Sequence, residues 1–365
     1  MINRLVVRNL MHRPIRTGLS VLAIAVEVAM ILLIVGLSEG LLEESARRTR
    51  GVGADILIRP STSSAAMTLS TADIPAKLVD KLVETFPEIA LATGTTLSTQ
   101  GDLQTITGVD WPKIEEMSGG LRYLKGGPMQ GPFEAVVDEV YARHKKVRVG
   151  DRLRLLNRDF EVAGIVESGK MSRIFIPIET MQDLMGWQGK LSQVYLKLKD
   201  PTQTREVVER LKALLPSYPV WPLEDFLSQV ASDARSMASQ FVNVIIGIAV
   251  VIGFIVVLLS MYTAILERTR EIGILKSLGA SKAFIITIVM RETLLVCAAG
   301  IAVGFGVSYG GRAIIETGFP LITIMLFPTW LIWSALIAVV GATIGAFYPA
   351  TRAAYQDPIE ALSYE

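Results

Sequence analysis

Residues 241–266 read FVNVIIGIAVVIGFIVVLLSMYTAIL, twenty-six consecutive positions without a charged side chain. A helix rising 1.5 Å per residue needs ~20 apolar residues to cross a bilayer's hydrocarbon core, so this run is long enough to span it. It is also too long for a buried strand. Three further runs qualify on either side. Gly18 to Leu37 covers 20 residues broken only by Glu27, Thr293 to Gly311 gives 19 uncharged residues, and Trp330 to Ala350 gives 21. The composition agrees: 51% of the 365 residues are hydrophobic and only 19% charged. The 36 basic and 35 acidic residues nearly cancel, which leaves no electrostatic footprint for nucleic acid and no disordered polyelectrolyte. A single cysteine, Cys297, excludes an internal disulfide, and two histidines, His12 and His144, exclude a multi-histidine zinc site.

The first run carries a basic flank (Arg4, Arg8, Arg13, Arg16) but exceeds the 7–15 residues of a signal-peptide core, and no small-x-small cleavage site follows it before Glu43. It reads as an uncleaved anchor. Basic residues in short flanks set orientation. The N-terminal flank has four Arg and no acid, and 267–291 holds Arg268, Arg270, Lys276, Lys282 and Arg291, whereas 312–329 has one basic residue. Both termini and the 267–291 loop are therefore expected in the cytoplasm of a bacterial inner membrane, with the long segment after the first span outside. The organisation read from the sequence is a cytoplasmic amphipathic helix over 1–16, spans at 17–38, 241–266, 284–315 and 330–350, and an extracytoplasmic domain over 39–240 with a subdomain inserted at about 111–185. The remaining pieces are a cytoplasmic helix over 267–283, an outer loop over 316–329 and a cytoplasmic tail over 351–365. The third span is rich in glycine (Gly300, Gly304, Gly306, Gly310, Gly311), which either lets a neighbouring helix approach closely or reflects the tolerance of membrane helices for glycine.

The long insert reads as α+β. ADILIR (54–59) is a short strand stopped by Pro60, 74–85 carries a helical apolar stripe closed by Pro87, and DRLRLLNRDFEVAGIV (151–166) alternates about an Asn-Arg-Asp turn as a hairpin does. SQVYLKLK (192–199) alternates cleanly, and 204–215 is an amphipathic helix ending at Pro216. The fold class is thus an α-helical integral membrane protein of four transmembrane helices, with an α+β extracytoplasmic domain between the first and the second.

Catalytic signatures are missing. The sequence contains no P-loop pattern G-x-x-x-x-G-K-[ST], no G-x-S-x-G, no H-E-x-x-H and no C-x-x-C. The carboxylate pairs Glu43–Glu44, Glu115–Glu116 and Asp138–Glu139 read as solvated faces. No catalytic residue, metal site or cofactor site is expected.

The informative stretch follows the second span directly: ERTREIGILKSLGASK, residues 267–282. Ile272, Leu275 and Leu278 fall on one helical face, with Ile274 beside it and Arg268, Arg270, Glu271 and Lys276 around it. Gly279-Ala280-Ser281 fits a helix stop followed by the N-cap of the next helix. A short amphipathic helix at a membrane edge either lies on lipid or offers a knob to a partner. Glu27, near the middle of the first run, normally would face protein or a water-filled cavity, because a charge at that depth is costly.

ERTREIGILKSLGAS resembles the loop between the second and third spans in permeases of the MacB/FtsX-like family, the type VII ABC transporters. PATRAAYQDPIEALSYE (349–365) resembles that family's ending, RNLMHRPIRTGLSVLAIAV (8–26) its opening, and GADILIRP (53–60) the start of its outer domain. Glu27 departs from the small or apolar residue usual there. The resemblance implies a homodimeric, non-catalytic permease on a separate cytoplasmic ATP-binding subunit, with ATP bound by that subunit. The 267–282 segment would be the coupling helix, its contacts carried by Glu267, Arg268, Arg270, Glu271, Ile272, Leu275, Lys276, Leu278, Gly279 and Ala280. Apart from the resemblance, the depth of Glu27 in its span leaves two readings: a protonated acid hydrogen-bonded to a neighbouring helix, or a residue at the dimer seam whose protonation or pairing biases opening against closure. The resemblance further implies mechanotransmission: ATP-driven closure moves the outer domains to export a hydrophobic compound, peptide or lipid-linked molecule, with a periplasmic adaptor and outer-membrane channel as further partners. Activation of an extracellular cell-wall hydrolase and lipoprotein release are the alternatives.

Overall fold

The computed structural model describes residues 14–61, 72–100, 104–319 and 321–357. The amphipathic helix expected over 1–16 lies outside these residues except for its last three, as do residues 358–365 of the tail. In chain order, α1 (Pro14–Arg50) leads to β1 (Ile56–Ile58), β2 (Ile74–Pro75), α2 (Lys77–Thr85), β3 (Ile89–Gln100) and β4 (Gln104–Val109). There follow α3 (Trp111–Met117), β5 (Tyr123–Gly126), β6 (Glu134–Asp138), α4 (Glu139–Lys145), β7 (Arg152–Leu155) and β8 (Arg158–Val166). Next come β9 (Ile174–Pro177), α5 (Ile178–Met185), β10 (Lys190–Leu191), β11 (Gln193–Leu198), α6 (Thr204–Leu214) and β12 (Val220–Pro222). Four helices close the chain: α7 (Leu223–Glu267), α8 (Thr269–Ser277), α9 (Lys282–Gly318) and α10 (Pro328–Tyr355). Among the described residues, 14–39, 238–318 and 324–357 form one compact unit, and those within 40–237 together with 319 and 321–323 form another.

In the helical unit, α1, α7, α9 and α10 are each long and apolar enough to cross a membrane. Their packing rests on small side chains. A Cβ added to Gly300 would lie 2.7 Å from Ile24 Cβ, and one added to Gly304 would lie 2.9 Å from the Ala25 carbonyl oxygen and from Val28 Cβ. These two glycines, one turn apart, let α9 press against the backbone of α1. Within the single chain Gly306 and Gly310 face open space. On α10 the small residues Ala338, Ala342, Ala346 and Ala350 recur every fourth position, and all are buried. The first three pack with Ile24, Val28, Val257, Val296 and Cys297 into the core of the helical unit. Ser20 Oγ and Ser260 Oγ, 2.6 Å apart, add a hydrogen bond between α1 and α7.

Two helices outrun their apolar stretches. α1 has 37 residues and α7 has 45, and each contains residues of both units. Past the apolar run of α1 the sequence EESARRTR keeps helical ion pairs, Glu44 with Arg47 at 2.6 Å and with Arg48 at 3.6 Å.

The α/β unit is built on one mixed sheet of ten strands in the order β12-β1-β11-β3-β4-β9-β6-β8-β5, with β7 on β8. Most pairs are antiparallel, and β4–β9 and β6–β8 are parallel. The segment read as an inserted subdomain has its own apolar core around Val137, Phe160, Val162 and Ile176, while the flanking segments enclose another around Ile56, Leu82, Leu196 and Leu211. The two lobes nevertheless share the sheet, because Ile106 of β4 pairs with Ile174 of β9. The β7–β8 hairpin turns at Leu156 (φ 48°) and Asn157 (φ 62°), one residue earlier than the Asn-Arg-Asp reading. Positive φ at both central residues matches the right-handed strand twist.

Two carboxylates read as solvated are buried: Glu44 is 6% exposed and Asp138 2%. Sequence polarity does not reveal that the rest of the unit covers these positions. Asp138 Oδ1 accepts the Tyr141 backbone N–H at 2.6 Å, capping α4. Burial pushes the Asp138 carboxyl up to about 6, although the Tyr141 N–H, Arg173 and Arg48 each favour the carboxylate.

Two outcomes are expected. Gly300→Leu and Gly304→Leu should overpack the α1–α9 contact and lower thermal stability in detergent by roughly 1–3 kcal/mol each, while Gly306→Leu should be nearly silent. Because the folded-state pKa of Asp138 is raised, its contribution to stability is full below the unfolded value near 3.8 and is lost as pH rises through about 6. Melting curves between pH 4 and 7 should record a loss on the order of 2–3 kcal/mol, which Asp138→Asn, still able to cap α4, should flatten.

Candidate functional site

The connection between α7 and α9 is held by the chain on three sides. At its start, Arg16 Nη1 of α1 donates to Glu267 Oε2 at 2.8 Å, and Arg268 Nη1 donates to Glu292 Oε2 of α9 at 3.1 Å. The second pair is well covered, with side chains 15% and 5% exposed. Thr269 Oγ1 donates back to the Leu266 carbonyl at 2.9 Å, bridging the break between α7 and α8. In the middle, Ile272 is buried and Leu275 half-buried against Ile265, Ile285, Val289 and the Ala350–Ala354 end of α10. Lys276 Nζ donates to the Ala354 carbonyl at 3.0 Å and also to that of Gln356. A cation on the last carbonyls of α10 complements both their lone pairs and the helix dipole.

The end of α8 is a Schellman motif. Gly279 has φ +94°, its N–H bonds the Lys276 carbonyl at 3.0 Å, and the Ala280 N–H bonds the Leu275 carbonyl at 3.0 Å. Leu275 and Ala280 join the same apolar cluster, the contact that usually accompanies this motif. Ser281 Oγ then accepts the Phe284 N–H at 3.2 Å and starts α9. Glycine is required at 279 because a side chain at that φ is strained.

The face read from the sequence divides. Ile272 and Leu275 are inward supports, whereas Leu278 is 80% and Ile274 45% exposed. Arg270, Glu271, Ser277 and Gly279 are exposed around these two. The outward patch is therefore Ile274 and Leu278 rimmed by polar groups. Which apolar residues are spent internally depends on α10, eighty positions on, so a helical wheel could not separate them.

Glu27 is also placed differently. It is 6% exposed within the single chain. Its carboxyl lies over Gly253 of α7, where an added Cβ would come within 2.0 Å of Oε2. Within the single chain, α7 of its own bundle covers it. Oε1 has no hydrogen-bond partner among the described residues. Glu292 is the residue that sequence reading missed. It sits just before the third apolar run, and the available signal was a lone acid at a run's edge opposite the arginines that follow α7. Among the described residues no group of three or more His, Cys, Asp or Glu could hold a metal ion.

Comparison with known proteins places this architecture. Residues 17–214 match the MacB-like periplasmic core domain, and residues 243–358 match the FtsX-like permease C-terminal domain. These two matches define the class, a multi-pass permease component of an ABC transporter. With more than half of its residues in the first match, the chain belongs to the MacB/FtsX-like family of such permeases. The macrolide export ATP-binding/permease protein MacB of Nitrobacter winogradskyi is 26% identical, over 96% of this chain and 58% of its own length. The uncharacterized ABC transporter permease YknZ of Bacillus subtilis is 26% identical over 68% of this chain and 66% of its own. MacB of Escherichia coli K12 is 28% identical over 61% and 36%. The chain thus spans from about a third to two thirds of the curated relatives it matches. The crystal structure of the periplasmic region of MacB from Actinobacillus actinomycetemcomitans superposes on half of this chain and 94% of that one, with a TM-score of 0.40 and 14% identity.

Arg268→Ala should leave Glu292 as an uncompensated buried charge and cost roughly 3–5 kcal/mol in unfolding experiments. Replacing both partners by apolar residues (Arg268→Met with Glu292→Leu) should recover most of that loss, a coupling that a double-mutant cycle measures.

Proposed function

We propose that the chain is the force-transmitting permease of an ABC exporter, coupled through α8 to a separate cytoplasmic ATP-binding partner. The observation that carries this reading is that α8 is fastened from behind and bare in front. Arg268, Ile272, Leu275 and Lys276 tie it to α9 and α10, while Ile274 and Leu278 project outward. An element so fastened hands a push on to its bundle rather than absorbing it. α1 and α7 each run as one hydrogen-bonded helix through residues of both units, which favours transmission of that push to the α/β unit. The basic flanks favour termini and α8 on the cytoplasmic side. The 365 residues contain no P-loop, so hydrolysis takes place outside them, and the reading places it in the partner. The chain acts as a homodimer, and its cargo is a hydrophobic compound, peptide or lipid-linked molecule. Export from the outer leaflet or periplasm fits the naming of its relatives as macrolide export proteins, and an adaptor and outer-membrane channel complete the reading.

The decisive test separates the two faces of α8. Ile274→Asp and Leu278→Asp should weaken association with the ATP-binding partner by about thirtyfold, the loss of a hot spot, while the permease still assembles in the membrane. Leu275→Asp should instead lower the permease's own stability. Co-purification and stimulated ATPase activity unchanged in the Ile274/Leu278 double variant refute the reading. ATP turnover that tracks the purified chain in the absence of any partner refutes the two-subunit assignment.

A further inference from the structure

A cleft of about 60 Å³ lies behind α8, between the end of α7 and the start of α9. Met261, Ala264, Ile265 and Ile288 form its apolar walls, and Arg268, Glu271 and Glu292 are the charged groups that line it. Glu292 is the unusual member. The residue is 4% exposed, its Oε2 is held by Arg268, and its Oε1 is buried with no hydrogen-bond partner among the described residues. An acceptor carrying part of a full charge, left unpaired against apolar walls, is strongly unfavourable. Two carboxylates and one guanidinium also leave the lining with a formal charge of −1. A ligand that relieves both conditions must donate a hydrogen bond, carry a positive charge and present an apolar body. The volume holds a compact head of about two water molecules' size, so the rest of the ligand continues out of the cleft. A metal ion fits poorly, because no group of three or more carboxylates, histidines or cysteines gathers there among the described residues.

We propose that this cleft binds a primary ammonium on an apolar tail, with the ammonium donating to Glu292 Oε1 and the first methylenes against Met261, Ile265 and Ile288. A free alkylamine and the headgroup of an ethanolamine phospholipid both present that group. Apart from Glu271, which is exposed at the edge of both, the site is separate from the outward patch of α8, and it does not rest on the coupling reading.

The test uses the full chain in nanodiscs of phosphatidylcholine and phosphatidylglycerol, titrated with octylammonium and followed by thermal unfolding. A saturable rise in Tm is expected, because a ligand that binds only the folded state stabilises it by mass action. Octanol, lacking the charge, and octyltrimethylammonium, lacking the N–H donors, should give little. Glu292→Gln should weaken octylammonium binding about tenfold or more, as expected for a charged hydrogen bond. Ala264→Leu, which leaves the carboxylate intact but fills the cleft, should abolish the response and serves if Glu292→Gln fails to fold. Nanodiscs containing phosphatidylethanolamine identify the source. A higher starting Tm with a blunted octylammonium response assigns the site to the lipid headgroup, and an unchanged response assigns it to a free amine. No saturable effect from either source, an equal effect from octyltrimethylammonium, or a response undiminished in both variants overturns the proposal.

Discussion

A backbone inside hydrocarbon finds no water, so each of its N–H and C=O groups must be satisfied within the protein. That constraint makes α1, α7, α9 and α10 continuous helices, and it leaves their association to close packing rather than to hydrophobic expulsion. Gly300 and Gly304 against Ile24 and Val28, and the alanine row of α10, are how this chain achieves contact. The chain between α7 and α9 breaks its helix at Arg268, where the Thr269 hydroxyl donates to the Leu266 carbonyl, and again at Gly279, where the Schellman bonds close the end of α8.

The same economy explains α8. Nine residues do not hold a helix on their own. A Schellman stop at Gly279, an N-cap at Ser281 for the next helix and a lysine on the α10 carbonyls supply what length cannot. Half of its apolar side chains are spent on that anchoring. The remainder, Ile274 and Leu278, are too few to hold the helix to its own chain and are left to whatever approaches from outside.

In the α/β unit the organising device is strand pairing across the lobes. Two apolar cores could have made two domains, but the β4–β9 ladder joins them in one sheet. Buried carboxylates there are met first by groups close in sequence. Glu44 is paired by Arg47 and Arg48 from the next turn of its own helix, and Asp138 is held by the first turn of α4.

By itself, the sequence determined the features that depend on contiguous residues. Spans follow from unbroken apolar runs, strands from alternation, and the α8 stop from Gly279 followed by Ser281, because each is a local backbone requirement written over a few positions. Tertiary structure alone decided the rest. Only the packing of α1 tells Gly304 from Gly306, only the end of α10 tells Leu275 from Leu278, and only α7 and α9 cover Glu27 and Glu292. These distinctions depend on partners tens to hundreds of residues away, and side-chain periodicity along one helix records which residues share a face without recording what that face meets.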